Sequence, residues 1–287
     1  MKDIKPTEAI TAYTRKLKCA GRSQATIRNY CDCLGAFFRY SKIHDHKSPA
    51  DYLENYMVAL ADRGLSKKTI NLHRAAIVYF FKHVRGITIS TQDVPAMKVG
   101  KRLPEFFTLK EMRTILAKTN NYKHRLMMET LMACGLRLSE LQQLHVKDLI
   151  LGAYNGKSAM RVRSGKGDKD RMVLIPDDLA AKLAEYTHDT DCERLVFLPD
   201  GGGKKYPKRT IQKICNAACK RAGVSGRWNV HKFRATYASQ SLLCGANVVA
   251  VQKAMGHKSL KTTSIYLDVT LDHMLEMPDI VGVASGN

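Results

Sequence analysis

The sequence lacks the motifs of the commonest nucleotide-dependent and hydrolytic enzymes. It contains no G-x-x-x-x-G-K-[ST] loop, no strand-associated G-x-G-x-x-G, no G-x-S-x-G and no H-E-x-x-H. The GGGK run at residues 201–204 does not have the spacing of a phosphate-binding loop. No dense carboxylate cluster could hold two magnesium ions, which argues against the commonest nuclease and polymerase chemistry. Any reaction must therefore use other groups.

Long apolar runs and a cysteine framework are also missing. No apolar stretch reaches the ~18 residues that a membrane-spanning helix needs, and MKDIKPTEAITAY lacks the apolar core of a signal peptide. The eight cysteines are scattered and form no paired C-x-x-C zinc framework. An H-x-H at His44 lies in a polar stretch without obvious ligand partners. These features predict reduced thiols, a cytoplasmic protein, no bound metal and no membrane partner.

What the sequence has in excess is positive charge. Lysine and arginine number 47 against 26 acidic residues, which gives a net charge of +21. Because the basic residues recur from Lys2 to Lys261, the folded surface itself must be basic. Such a surface attracts polyanions, and nucleic acid is the first candidate. A charge that serves solubility, or binding to an anionic membrane surface, is the alternative interpretation.

The first hundred residues predict four helices. Capping residues or prolines precede stretches of apolar residues with helical spacing, and glycines follow them. The predicted starts are Pro6, Ser23, Ser48 and Ser66, and the predicted stops are Gly21, Gly64 and Gly86. The helix that starts at Ser66 carries Lys67, Lys68 and Arg74. These residues suit contact with DNA phosphates through the helix dipole and their side chains, so we expect a DNA-binding module here.

The helical pattern breaks at residues 86–107, where two prolines, two glycines and three basic residues mark a linker. We therefore predict an N-terminal helical domain at residues 1–90, a linker at residues 91–104 and a second domain at residues 105–287. Residues 271–287 form a weakly amphipathic C-terminal segment within that second domain.

The second domain is predicted to be mainly helical with one β-hairpin. Thr108 opens a T-x-x-E capping box, Gly135 is placed just after a helix, and Ser139 is expected to cap the next one. Two alternating strands flank a glycine-rich turn. The predicted strands are Met160–Arg163 and Met172–Ile175, and the predicted helices are 123–134, 178–186, 211–222, 233–244 and 248–255. The fold class is therefore mainly α with a small β-sheet in the C-terminal domain.

Several side chains that could act on a phosphate stand at the ends of these elements. They are Arg137 in ACGLRLSEL, Lys166 in SGKGDKDR, His231 and Arg234 in NVHKFRATYA, and His257 and Tyr266 in MGHKSLKTTSIYLD. Each has an ordinary structural interpretation when taken alone. An arginine after a helix commonly caps carbonyls, a lysine in a glycine-rich turn faces water, and a tyrosine between apolar neighbours packs in a core.

Together and in this order, the six residues resemble the catalytic set of the tyrosine recombinase (phage integrase) family. That family has an arginine in a G-L-R-x-S-E-L turn, a lysine on a β-hairpin, an H-x-x-R pair, and a G-H followed nine residues later by the nucleophilic tyrosine. The chain has GLRLSEL, GKG, HKFR and GHKSLKTTSIY. The resemblance covers nearly the whole chain and implies a two-domain C-shaped clamp whose N-terminal half is a SAM-like core-binding domain.

The resemblance implies roles for the two arginines that their chemistry explains. Attack on a phosphodiester spreads negative charge over the non-bridging oxygens, and a guanidinium donates two parallel hydrogen bonds to such oxygens. That role falls to Arg137 and Arg234. Glu140 matches the family's acidic residue and is expected either to orient Arg137 or only to favour the helix dipole. The family often has a histidine where this chain has Ala235, a position outside the six.

The remaining roles concern proton transfer. A tyrosine hydroxyl has a reference pKa of about 10, so Tyr266 needs a base or a cationic field to attack near neutral pH. His231 is the implied base and His257 a hydrogen-bond donor to the phosphate. Lys166 is the implied general acid for the leaving 5′-oxygen, and Lys169 on the same hairpin is its competitor. We expect the apolar neighbours of Tyr266 to anchor a helix that carries it.

The implied product is a 3′-phosphotyrosyl link that needs neither ATP nor a metal, so no cofactor is expected. The implied partner is double-stranded DNA, bound by a homotetramer that assembles from free monomers, with the C-terminal segment docking on its own or on a neighbouring protomer. Integration or excision of a mobile element is the first role considered. Dimer resolution of the Xer type, type IB topoisomerase activity and a non-catalytic DNA-binding regulator are the alternatives.

Overall fold

A computed structural model describes residues 5–44, 46–100, 104–163, 170–226, 228–257 and 259–267, with only the backbone of Lys261. The chain divides into two compact units, Met1–Lys101 and Arg102–Asn287. The first unit is helical, and the second combines helices with one small antiparallel sheet. The predicted fold class, mainly α with a small sheet in the C-terminal domain, is confirmed.

The described part of the N-terminal unit contains four α-helices, each of which begins where the sequence predicts. Ser23, Ser48 and Ser66 are N-caps, and each hydroxyl accepts a hydrogen bond from the backbone N–H three residues later. A five-residue π-helical turn, Phe81–Arg85, follows the last helix and ends at Gly86, whose φ is 69°. The helices are α1 (Pro6–Cys19), α2 (Gln24–Ile43), α3 (Pro49–Asp62) and α4 (Lys67–Phe80).

Aromatic side chains form the core of this unit. Tyr13 of α1 packs edge-on against Phe80 of α4 with ring centroids 5.8 Å apart, and its hydroxyl donates to the carbonyl of Ala76 at 2.7 Å. Phe37 of α2 packs in the same way on Phe81 at 6.1 Å. These contacts fix α4 in the unit and so orient the basic helix start that follows Ser66.

The segment after the π-helical turn is attached to α4. Arg74 donates through Nε to the carbonyl of Val94 at 2.6 Å, and Asn71 exchanges two hydrogen bonds of 2.9 Å with the backbone of Met97. Ile89 and Val94 are buried in the aromatic core. Residues up to Met97 therefore pack with the N-terminal helices.

The second unit has eight helices among its described residues and a sheet of order β1-β2-β3. The helices are α5 (Leu109–Ala117), α6 (Tyr122–Cys134), α7 (Leu138–Leu141), α8 (Asp177–Thr187), α9 (Lys208–Arg221), α10 (Val230–Leu243), α11 (Val248–Met255) and α12 (Leu260–Ser264). The strands are β1 (Leu149–Tyr154), β2 (Lys157–Val162) and β3 (Arg171–Ile175), and a 3-10 turn spans Val146–Asp148. Both strand pairs are antiparallel.

Helix α6 lies at the centre of this unit, with seven of its thirteen residues buried. Helix α10 packs against it and is more enclosed still, with nine of its fourteen residues buried. Phe233 of α10 meets Phe107 edge-on at 5.1 Å, and the backbone N–H of Phe107 donates to Thr236 at 2.9 Å. The packing of α10 on α6 brings the start of α10 to the end of α6, where the candidate residues lie.

No helix within the described ranges is both long and apolar enough to cross a membrane. In those same ranges, no three His, Cys, Asp or Glu side chains cluster in a way that could hold a metal ion. All eight cysteines are free thiols. Burial raises the pKa of Cys134 and Cys215 to about 12, so these two behave as small apolar core residues.

Candidate active site

The turn between α6 and α7 presents Arg137. Gly135 ends α6 in the left-handed conformation with φ 59°, and a Cβ there would lie 2.3 Å from Cδ1 of Tyr237, so only glycine fits. The prediction that Ser139 caps the next helix is wrong, because α7 begins at Leu138 and Arg137 occupies the N-cap position. Glu140 satisfies this helix start instead, since its Oε2 accepts from the backbone N–H of Arg137 at 2.7 Å.

The side chain of Arg137 is held by the same carboxylate. Its Nη1 donates to Oε1 of Glu140 at 2.8 Å, and its Nη2 donates to the carbonyl of Gly256 at 2.8 Å. Arg171, the first residue of β3, meets Glu140 through two parallel hydrogen bonds of 2.9 Å each. Glu140 therefore orients Arg137, which was one of the two roles expected from its position in the sequence. It also binds a second arginine, Arg171.

The C-terminus of α11 binds three arginines through three successive carbonyls. Ala254 accepts from Nε of Arg171 at 2.6 Å, Met255 accepts from Nη2 of Arg234, and Gly256 accepts from Arg137. The last carbonyls of a helix have no partner within the helix and form the negative end of its dipole, so cations bind there favourably. The backbone of α11 thus brings three guanidinium groups together.

The cluster carries more positive than negative charge. Burial opposes the ionisation of Glu140, but hydrogen bonds from Arg171 and Arg137 outweigh it and hold its pKa at about 2. Burial, with repulsion from Arg137, lowers the pKa of Arg234 to about 10, which still leaves it charged at neutral pH. Three arginines facing one carboxylate form a site that suits an anion such as a phosphate.

Candidate side chains line two cavities that share His231 in their walls. Arg137, His231 and Arg234 line a cavity of about 120 Å³, together with Gln212 of α9. His231 also lines a second cavity of about 310 Å³, whose wall includes Tyr266. His231 thus borders both the space beside the arginines and the space beside the tyrosine.

His257 follows Gly256 directly and is fixed from both sides. Its Nδ1 lies 2.9 Å from Oγ1 of Thr263, which is fully buried, and its carbonyl accepts from Gln252 at 3.0 Å. Burial, followed by repulsion from Arg234, Arg137 and Arg171, lowers the pKa of His257 to about 4. The ring is therefore neutral at physiological pH.

Tyr266 lies in a turn two residues after α12 ends, so the expectation of a helix carrying it is wrong for the described residues. Of its apolar neighbours, Leu267 is 43% exposed and does not anchor it in a core. Tyr266 packs against the small apolar cluster of α10 and α11. Burial raises the pKa of its hydroxyl, and nearby Arg234 lowers it in part.

The lowered pKa of His257 makes stability depend on pH. The pKa of this histidine is about 6.5 in the unfolded chain, whereas it is about 4 in the folded protein. The unfolded state therefore binds more protons between these values, and the free energy of unfolding falls as the pH drops from about 6.5 to about 4. We expect the variant His257→Gln to remove up to about 2 kcal/mol of this pH dependence, since water screens part of the effect.

Urea unfolding at pH 7 and at pH 4.5 measures this difference for the wild type and the variant. His188→Gln is the matched control, because that side chain is 81% exposed. An equally steep loss of stability on acidification in wild type and His257→Gln would contradict the buried, neutral ring.

The structure brings together five of the six candidate residues and does not describe the sixth. Lys166 and its competitor Lys169 lie outside the described residues, as does the C-terminal segment 271–287. Lys67, Lys68 and Arg74 belong to the N-terminal unit.

Sequence reasoning missed the contribution of Arg171, Thr263 and Gln212, and that of the α11 carbonyls. No motif in a chain with 47 basic residues distinguishes Arg171 from the other arginines.

Comparison with known proteins agrees with this geometry. The model of the phage integrase family matches residues 105–273, and that of the phage integrase N-terminal SAM-like domain matches residues 10–91. Tyrosine recombinase XerA of Thermococcus onnurineus is 31% identical over 272 residues, which cover 93% of this chain and 93% of that protein. Tyrosine recombinase XerC of Thermodesulfovibrio yellowstonii is 27% identical over 290 residues, with 94% of each chain covered.

Solved structures show the same fold. XerH recombinase bound to a palindromic difH substrate, in a post-cleavage complex, superposes with a TM-score of 0.72 at 22% identity, covering 89% of this chain and 80% of that one. A lambda integrase tetramer bound to a Holliday junction gives 0.73 at 18% identity, covering 92% and 77%. The chain belongs to the phage integrase family, the tyrosine recombinases, and is a DNA strand-transferring enzyme.

Proposed function

We propose that this enzyme cleaves and rejoins double-stranded DNA at specific sites through a 3′-phosphotyrosyl intermediate on Tyr266, in the integration and excision of a mobile element. The observation that carries the proposal is the shared position of His231. It borders the cavity lined by Arg137 and Arg234 and also the cavity lined by Tyr266. A phosphate held by the arginines would thus lie beside both a base and a nucleophile.

We assign each step of the reaction to one side chain. The hydroxyl of Tyr266 attacks the phosphorus, His231 accepts its proton, and the bond from phosphorus to the 5′-oxygen breaks as the new bond to tyrosine forms. Because burial raises the pKa of Tyr266, a base is needed at neutral pH. Arg137 and Arg234 neutralise the charge that grows on the non-bridging oxygens.

The neutral ring of His257 serves as a hydrogen-bond donor rather than as a second positive charge. Nδ1 of His257 lies 2.9 Å from Oγ1 of Thr263. We assign the hydroxyl of Thr263 as the donor in this pair, so that the proton of the ring is on Nε2 and donates to the phosphate. Lys166, with Lys169 as its competitor, protonates the departing 5′-oxygen. Attack by a 5′-hydroxyl from a second duplex then reverses these steps and reseals the strand.

We assign further DNA contacts to the N-terminal unit. Lys67 and Lys68 are exposed in the first turn of α4, where the helix dipole and their charge attract phosphate. Arg74 is half-buried and already donates Nε to the carbonyl of Val94, so we assign it a weaker DNA contact than the two lysines. We assign residues 1–90 to the core-binding domain and residues 105–287 to the catalytic domain, with residues 91–104 as the connection, of which those up to Met97 pack on the N-terminal helices.

We propose that the active assembly is a homotetramer on DNA that forms from monomers in the cytoplasm. One solved structure with the same fold is a tetramer bound to a Holliday junction, which supports this assembly. Residues 271–287 would dock on a neighbouring protomer.

The second candidate is Xer-type resolution of replicon dimers, which the names XerA and XerC of nearly full-length relatives favour. Both roles use the same chemistry and differ in where the DNA is cut. A non-catalytic DNA-binding regulator would also need a positive charge such as the +21 of this chain, and a topoisomerase would use the same side chains for cleavage.

Mapping covalent adducts across the genome of the cell of origin separates these functions. The full chain is expressed there, adducts are trapped with detergent, and the attached DNA is sequenced. We expect adducts on both sides of the chain's own gene, together with exchange between two labelled duplexes carrying the mapped site. Adducts at one remote locus would indicate dimer resolution, relaxation without exchange would indicate a topoisomerase, and salt-sensitive binding without adducts would indicate a regulator.

A further inference from the structure

We propose that Arg171 is a positioning residue of the reaction, which sets the orientation of Arg137 and of the turn that carries His257. The proposal rests on the proposed function, since it concerns the same site. Arg171 does not line either cavity beside the phosphate-binding arginines, so it acts through the groups that it holds.

The first of these groups is the carboxylate of Glu140. Arg171 meets both of its oxygens at 2.9 Å, while Arg137 reaches Oε1 through Nη1 at 2.8 Å and Oε2 through its backbone N–H at 2.7 Å. The side chains of Arg171 and Glu140 are only 9% and 6% exposed. Because a bidentate pair fixes the plane of the carboxylate, Arg171 determines the direction in which Glu140 can hold Arg137.

The second group is the end of α11. Nε of Arg171 donates to the carbonyl of Ala254 at 2.6 Å. Its side chain also packs on Gly256, where a Cβ would lie 3.1 Å from Cδ and from Nη1. Ala254 and Gly256 precede His257 by three residues and by one residue. One side chain therefore ties the turn of Arg137 to the turn of His257.

The position of Arg171 in the sheet adds a third connection. It is the first residue of β3 and pairs with Val162 of β2, and in the sequence it follows Lys166 by five residues. A neighbouring arginine provides a natural comparison. Arg163 donates to Oδ1 of Asp148 at 2.8 Å through Nε, but this pair has no hydrogen bond to Arg137, Glu140 or α11 among the described residues.

A lysine could not replace Arg171 in this role. The ammonium of lysine is a compact point charge, whereas the guanidinium donates from one rigid plane to two carboxylate oxygens and a carbonyl at once. Three arginines also repel one another in a partly buried site, and the fixed carboxylate offsets that repulsion. Without the two hydrogen bonds from Arg171, the carboxylate of Glu140 would be held only by the backbone N–H and Nη1 of Arg137, the residue that it has to orient.

The test compares Arg171→Met, Arg171→Lys, Glu140→Gln and the double variant Arg171→Met/Glu140→Gln with the wild type, and uses Arg163→Met as the matched control. DNA affinity and the single-turnover cleavage rate are measured separately, on a nicked duplex carrying the site mapped in cells. NMR titration of the His257 ring is recorded in the DNA-free full chain, and thermal unfolding is recorded for every variant.

We expect Arg171→Met and Arg171→Lys to lower the cleavage rate at saturating protein by about 10- to 100-fold, with DNA affinity changed less than about 3-fold. The double variant should cleave no more slowly than the slower of the two single variants, because both substitutions break the same Arg171–Glu140 pair. The ring signals of His257 should shift in both Arg171 variants and stay as in the wild type in Arg163→Met, which should also cleave at the wild-type rate.

Full cleavage by Arg171→Lys would overturn the proposal, since charge alone would then suffice. A loss that appears only in DNA affinity or in thermal stability would overturn it as well. If the wild type forms no adduct with any DNA, the proposed function fails. The titration of His257 still decides in that case whether Arg171 positions its turn.

Discussion

Replacing Tyr266 with phenylalanine is expected to lower DNA cleavage by at least about 1000-fold and to abolish the covalent adduct. The variant removes one oxygen atom, which is the atom that would join the phosphorus. Since the ring packs against the cluster of α10 and α11, phenylalanine should keep the fold and the affinity for DNA. Denaturing gel electrophoresis of radiolabelled duplex with each protein measures the adduct directly.

Tyr237→Phe is the matched control for this experiment. Tyr237 packs in the same cluster of α10 and α11 as Tyr266 and is also half-buried, but it lines neither cavity. Its variant loses a hydroxyl from the same surroundings and should form adducts at nearly the wild-type rate. Adduct formation by Tyr266→Phe would remove Tyr266 from the reaction, and loss of the adduct in Tyr237→Phe would show that the effect is not specific to the hydroxyl of Tyr266.

Arg234→Lys is expected to produce the next largest loss, about 100- to 1000-fold in the cleavage rate. The side chain of Arg234 is buried and donates to the carbonyls of Gly135 and Met255 through its two Nη atoms. It therefore holds the end of α6 against the end of α11 while it faces the cavity with Arg137. A lysine keeps the charge but cannot span both carbonyls and a phosphate.

The variant Arg221→Lys controls for a general effect of replacing an arginine. Arg221 is exposed at the end of α9 and donates to one carbonyl, that of Lys118, at 3.2 Å. We expect it to cleave like the wild type, and we expect Arg234→Lys to bind DNA with nearly unchanged affinity. Wild-type cleavage by Arg234→Lys would show that charge, and not the guanidinium geometry, matters at this position.

Local chemistry explains why so much of the fold was predictable from the sequence. The starts of α2, α3 and α4 follow from Ser23, Ser48 and Ser66, because a cap hydroxyl satisfies helix N–H groups within three residues of it. The end of α6 follows from Gly135 for a similar local reason. Strand β1 was missed because its sequence, LILGAY, does not alternate and its outer half is exposed.

The site was predictable as a set of residues but not as an arrangement. Spacing within H-x-x-R places His231 and Arg234 on one face of a helix start, and both line one cavity. Nothing local indicates that Arg137, Arg171 and Arg234 bind three successive carbonyls, since these contacts join residues 21 to 119 positions apart. Backbone acceptors carry no sequence signal, so the role of the α11 terminus emerges only from the fold.

Peptide mass spectrometry of the trapped DNA–protein adduct tests the central claim most directly. The wild-type chain is incubated with the nicked duplex, the adduct is digested with trypsin and nuclease, and the modified residue is located by fragmentation. The account predicts a nucleotide joined through a 3′-phosphate to the hydroxyl of Tyr266. A nucleotide on any other side chain would contradict it.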